Sequence, residues 1–89
     1  MTAAYQLSLM LGDRAALLAG FAERSHRLQR ILRQAGFHRG GGVSGDGLRL
    51  VSRVAGGRGL RDWPQTKTWA DYDALIEAVS HEIKEAHGA

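Results

Sequence analysis

Gly40-Gly41-Gly42-Val43-Ser44-Gly45-Asp46-Gly47 runs straight into Leu48-Arg49-Leu50-Val51-Ser52-Arg53-Val54, and the reading of this stretch decides the fold. Five glycines in the first eight residues rule out a helix there, because ordering glycine costs more backbone freedom than ordering any other residue. Asp46-Gly47 has the composition of a hairpin turn. The seven residues that follow then read as a strand, with Leu48, Leu50, Ser52 and Val54 on one face and Arg49, Val51 and Arg53 on the other. Gly56-Gly57-Arg58-Gly59 reads as a second turn and residues 60–63 as a short further arm. Pro64 ends that arm, since proline has no N–H to give to a ladder.

Upstream, residues 5–11 alternate. Tyr5, Leu7, Leu9 and Leu11 share one side, and Gln6, Ser8 and Met10 share the other, which is the period of a half-buried strand. Gly12-Asp13 breaks the pattern, and Asp13 suits the N-cap of a helix. From about residue 14 to residue 35 the period becomes helical: Leu17, Phe21, Leu28, Ile31, Leu32 and Ala35 build one stripe. Gly36 is placed to end that helix, with Phe37 folding back on its last turn. Downstream, Thr68 and Asp71 resemble a capping box. Trp69, Tyr72, Leu75, Ile76, Val79 and Ile83 then form a second stripe before Gly88.

The predicted order is β-α-β-β-(β)-α. The fold class that follows is α+β, a small antiparallel sheet of three to four strands with two amphipathic helices on one face. The 89 residues contain no internal repeat and no dividing linker, so residues 1–89 are expected to form a single domain.

Composition narrows the chemistry. With no cysteine, neither a disulfide framework nor a thiolate zinc site can form. A hydrophobic fraction of 44% is that of a folding chain and not of a disordered one. No run approaches the roughly 18 apolar residues that span a bilayer. Residues 1–13 lack the basic start of a signal peptide, and a cytoplasmic location without membrane contact is the expectation. Charge is divided along the chain. Residues 1–61 hold ten arginines against Asp13, Glu23 and Asp46, for +7. Residues 62–89 hold Lys67 and Lys84 against six carboxylates, for −4.

Catalytic and cofactor motifs fail on context. Gly40-x-Gly42-x-x-Gly45 has the letters of a dinucleotide fingerprint, but that mechanism needs a loop leaving a strand and opening a helix. On the strand reading it leaves a helix and enters a strand. Glu77, His81 and Glu85 lie one turn apart on the last helix, and three mixed ligands with nothing converging on them read as a solvated face. No context activates Ser44, Ser52 or Ser80 as a nucleophile. The expectation is a protein that is not an enzyme, with no cofactor and no metal.

The arginines carry the functional reading. On a strand, Arg49 and Arg53 project from the open sheet face, and Arg39, Arg58 and Arg61 lie in or beside the turns at its rim. Five guanidinium groups on one face would engage nucleic-acid phosphate or an acidic protein surface. Aromatic residues are sparse in the basic segments, which argues against base stacking. Trp63 and Trp69, with Arg30 and Arg33 on the first helix, are secondary interface candidates. Asp73, Glu77 and Glu85 could meet the stripe of His26, Arg30 and Arg33 in a second copy, so a homodimer is a further option.

Two resemblances bear on this. Gly47-Leu48-Arg49-Leu50-Val51-Ser52-Arg53-Val54 resembles the central strand of ribosome-dependent mRNA-cleaving toxins from toxin–antitoxin pairs. That resemblance implies a ribonuclease with Arg49, Arg53 and Arg61 as its candidates. The family places further strands and catalytic residues toward the C-terminus, where this chain has an acidic helix. In size and character the chain also looks like the phage inhibitors of bacterial defence, anti-CRISPR proteins among them, which would imply a stoichiometric inhibitor that blocks a nucleic-acid or subunit site. The leading expectation is a small non-enzymatic binding module acting through an Arg-rich surface.

Overall fold

Ser44 is the boundary on which the deciding stretch turns. A computed structural model describes residues 3–57 and 59–88, with the side chains of residues 14–57 and 59–87. The elements are α1 (Ala3–Gln34), β1 (His38–Arg39), β2 (Gly42–Val43), α2 (Gly45–Val54), α3 (Trp63–Thr66) and α4 (Trp69–Gly88). The Ser44 hydroxyl accepts a hydrogen bond from the Gly47 amide at 3.3 Å, which caps the start of α2. Asp46-Gly47 is therefore the first turn of a helix and not a hairpin turn. The hairpin lies upstream: β1 and β2 pair antiparallel, His38 opposite Val43 and Arg39 opposite Gly42. Gly40 supplies the positive φ of 59° that so tight a connection requires.

The expected sheet of three to four strands is thus replaced by a two-stranded hairpin in a mostly helical chain. The strand expected over 48–54 is α2, because Gly47, Leu50, Val51 and Val54 recur at helical spacing. Gly47 and Val51 are buried, and Leu50 and Val54 pack against the core. Residues 5–11 and the supposed break at Gly12-Asp13 belong to α1, which is continuous. Alanine, leucine, methionine and glutamine dominate residues 3–11, and their helix propensity outweighs the roughly 1 kcal/mol cost of one interior glycine. Residues 60–63 form no third arm. Trp63 opens the single turn α3, with Pro64 in its first turn, where a missing N–H leaves nothing unpaired.

Both long helices end as their local sequences dictate. Phe37 N–H donates to Leu32 at 2.9 Å and Gly36 N–H to Arg33 at 3.1 Å, a Schellman closure with Gly36 at φ 101°. At the head of α4, Thr68 N–H donates to the Asp71 carboxylate at 2.9 Å, and Asp71 N–H donates back to the Thr68 hydroxyl at 3.2 Å.

α1 and α4 run parallel. Trp69 lies against Leu17 and Gly20, and Asp73 one turn later lies against Arg24. α2 runs the other way along α4, with Val54 near Ala74 and Ala78, and Arg53 near Glu82. Phe21, Leu28 and Leu32 of α1, Val51 of α2, Trp63 of α3 and Tyr72, Leu75, Ile76 and Val79 of α4 make the core. Tyr72 is its centre, tilted against Phe21 at 5.8 Å and edge-on to Trp63 at 5.5 Å.

Candidate functional site

α1 and α2 do not close on each other. Between them lies a cleft of about 370 Å³ with Leu28, Leu32, Val43, Val51 and Tyr72 on its floor and walls. Leu48 stands on its lip, 60% exposed. The rest of the lip is Gln29 and Ser25 on α1, Ser52 on α2, and Gly59 and Leu60 of the loop before α3.

A pairing repeats in the sequence of the lining residues. Gln29, Leu32, Leu48, Ser52 and Leu60 line it, and each is followed by an arginine: Arg30, Arg33, Arg49, Arg53 and Arg61. On α1, Arg30 and Arg33 directly follow the lining residues Gln29 and Leu32, whereas on α2 Arg49 and Arg53 line the hollow on the α4 side and not this cleft. All five are exposed. The helical stripe leaves Leu48 as a surplus apolar residue on the solvent side, and that surplus is the sequence signal by which the cleft could have been found.

The sequence-predicted residues are therefore regrouped. Arg49 and Arg53 do share a face, one helical turn apart on α2 and not two pleats apart on a sheet. Arg49 pairs with Asp46, and the Arg53 guanidinium is 3.5 Å from Glu82 of α4. Both border a second hollow of about 440 Å³ over Phe37, Leu50, Ile83 and Ala86. Arg39 is exposed on β1. Arg61 is exposed at the turn before α3, and Arg58 lies outside the described residues. Arg33 donates to the Gly41 carbonyl at 3.2 Å, tying the hairpin to α1. Arg30, Arg39 and Arg61 enter no ion pair among the described residues.

The tryptophans separate in role. Trp63 is 9% exposed and belongs to the core, with the Lys67 ammonium over its ring at 5.7 Å. Trp69 is 38% exposed but held in place. Its Nε1–H donates to the Leu17 carbonyl at 3.1 Å, and the Arg24 guanidinium stacks at 4.9 Å while reaching Asp73 at 3.0 and 3.3 Å. Among the described residues no three His, Asp or Glu side chains gather as metal ligands; His81 meets Glu85 at 3.6 Å on the outer face of α4. Burial raises the pKa of the Tyr72 hydroxyl above its ordinary value, with a smaller opposing effect from Ser25, and the ring belongs to the core. The toxin resemblance loses its basis here, since residues 47–54 are helix. No described helix is long and apolar enough to cross a membrane.

Compared with known proteins, the chain matches no family model, no curated protein and no solved structure.

Proposed function

We propose that this chain is a non-catalytic binding module that holds an acidic protein partner by stoichiometric contact. The observation behind the reading is an apolar cleft with three exposed arginines, Arg30, Arg33 and Arg61, each directly following one of its lining residues. Guanidinium forks match carboxylates in bidentate geometry, and an apolar cleft adjoining them gives the contact a dry centre. Phosphate would satisfy the arginines equally well, but a nucleic-acid surface gains little from the cleft. Its usual apolar contact is base stacking, and the rings among the described residues are otherwise engaged, Phe37 packing against the core. Phe21, Trp63 and Tyr72 are core, and Trp69 is covered on one face by Arg24.

The test is capture from nuclease-treated cell extract with wild-type protein and with the R30E/R33E double variant as bait. Both substitutions fall on exposed positions of α1, and circular dichroism verifies the fold of the variant, which gives up the bond from Arg33 to the Gly41 carbonyl. The expected result is a protein of acidic surface retained in a fixed ratio by the wild type and lost by the variant. Retention that disappears with nuclease, or that the variant keeps, overturns the reading.

A further inference from the structure

We infer that the cleft between α1 and α2 receives one face of an acidic amphipathic helix contributed by the partner. The inference deepens the proposed function and rests on it. The 370 Å³ cleft is not isolated: a second hollow of about 430 Å³ continues from it, sharing Ser25, Leu60 and Tyr72 and extending to Leu18, Ala22 and Pro64. The two together make a trough along α1 from Leu32 to Leu18, about 21 Å at 1.5 Å per residue.

That length is about four turns of a helix laid alongside, and two hollows in line suit apolar anchors at spacings of three and four. Leu18, 41% exposed, and Leu48, 60% exposed, stand one in each hollow, so an occupant would cover both. A partner strand fits less well. It would need a free sheet edge to pair with, and the hairpin strands are two residues each. The sign of the occupant's charge follows from the rim. Among the described residues no charged side chain lines either hollow. The exposed Arg30, Arg33 and Arg61 directly follow the lining residues Gln29, Leu32 and Leu60, whereas Arg49 and Arg53 lie with Asp46 and Glu82 on the α4 side of α2. No buried side-chain nitrogen or oxygen among the described residues wants a partner, so apolar anchors can displace the cleft's water without stranding one.

The probe is a displayed library of random peptides of about 16 residues, long enough for four turns. Selection is run against wild type, and enriched peptides are measured on wild type, L48E and Q29E. Leu48 and Gln29 are exposed, so neither substitution removes core packing, and circular dichroism verifies each fold. The expected outcome is enrichment of Asp- and Glu-rich sequences with apolar residues three and four apart. Each variant should weaken the best peptide about tenfold or more. Enrichment without that spacing, or binding that L48E leaves unchanged, overturns the cleft as the seat. If capture still depends on Arg30 and Arg33 in that case, the broader reading stands and only the cleft falls. If selection and capture both fail, both fall. A wild-type dimer in sedimentation that L48E dissociates also overturns the inference, because the occupant is then a second copy.

Discussion

Trp69 lies across Gly20: a β-carbon placed on Gly20 would stand 2.5 Å from Cε2 and Cζ2 of the indole. The glycine is what lets the head of α4 settle on α1, and the same contact brings Nε1 to the Leu17 carbonyl and Asp73 to Arg24. On an exposed helix, Gly→Ala stabilises by about 1 kcal/mol. At position 20 the sign reverses. G20A should destabilise by about 1–3 kcal/mol, as overpacked sites do, and displace the ring. Thermal unfolding reads the first effect and a red shift of tryptophan emission the second. A stabilised G20A with unchanged emission would remove the contact.

Arg24 and Asp73 form a two-bond pair, 3.0 and 3.3 Å, with the guanidinium largely sheltered by Trp69. A double-mutant cycle with R24A and D73A should return a coupling of about 0.5–1 kcal/mol, the range of well-aligned pairs near a surface. Zero coupling would mean that the stacking on Trp69 and the bond to the Gly20 carbonyl hold Arg24 without Asp73.

Ser44 caps the helix whose existence the sequence conceals. S44A should cost about 1 kcal/mol and lower Tm by about 4–8 °C, with helical signal lost before the rest of the fold. An S44A variant as stable as wild type would place the start of α2 elsewhere.

The Asp71 carboxylate is held below its ordinary value of 3.8, first by the Thr68 amide, then by the Thr68 hydroxyl, with Lys67 adding a little. A carboxyl depressed in the folded state stabilises fully above 3.8, and that contribution drains away as pH falls through the depressed value. D71N lacks it at every pH. The Tm gap between wild type and D71N should therefore be constant near neutrality and narrow below pH 3.8. A gap unchanged at lower pH would dissociate the capping box from acid stability.

Much of the helical framework is legible in the sequence. The stripe from Leu17 to Ala35, the closure at Gly36 and the box of Thr68 and Asp71 all act through neighbours within a turn, so local spacing reveals them. The middle of the chain is not legible, for a reason specific to Gly47. A β-carbon there would meet Val43 Cγ1 at 2.7 Å and Phe37 Cβ at 2.8 Å. The glycine is required where α2 presses on the hairpin, a tertiary demand that imitates the composition of a turn. Arg49 and Arg53, four apart, share a face in a helix or a strand alike, so their pairing survives the wrong period while its setting does not. Val51 and Leu48 discriminate: the strand reading exposes Val51 and buries Leu48, and the fold does the reverse. The cleft was hidden for the same reason, since it exists only once α2 is a helix.

Everything proposed for the surface depends on residues 48–54 being helical, with Leu48 on the cleft and Arg49 and Arg53 on the α4 side. The most direct measurement is the backbone chemical shifts of those residues by NMR. Cα shifts displaced downfield across 48–54, with amide contacts three residues apart, are the predicted result. Upfield Cα shifts with contacts to a facing strand would contradict it, and would dissolve the cleft along with the reading built on it.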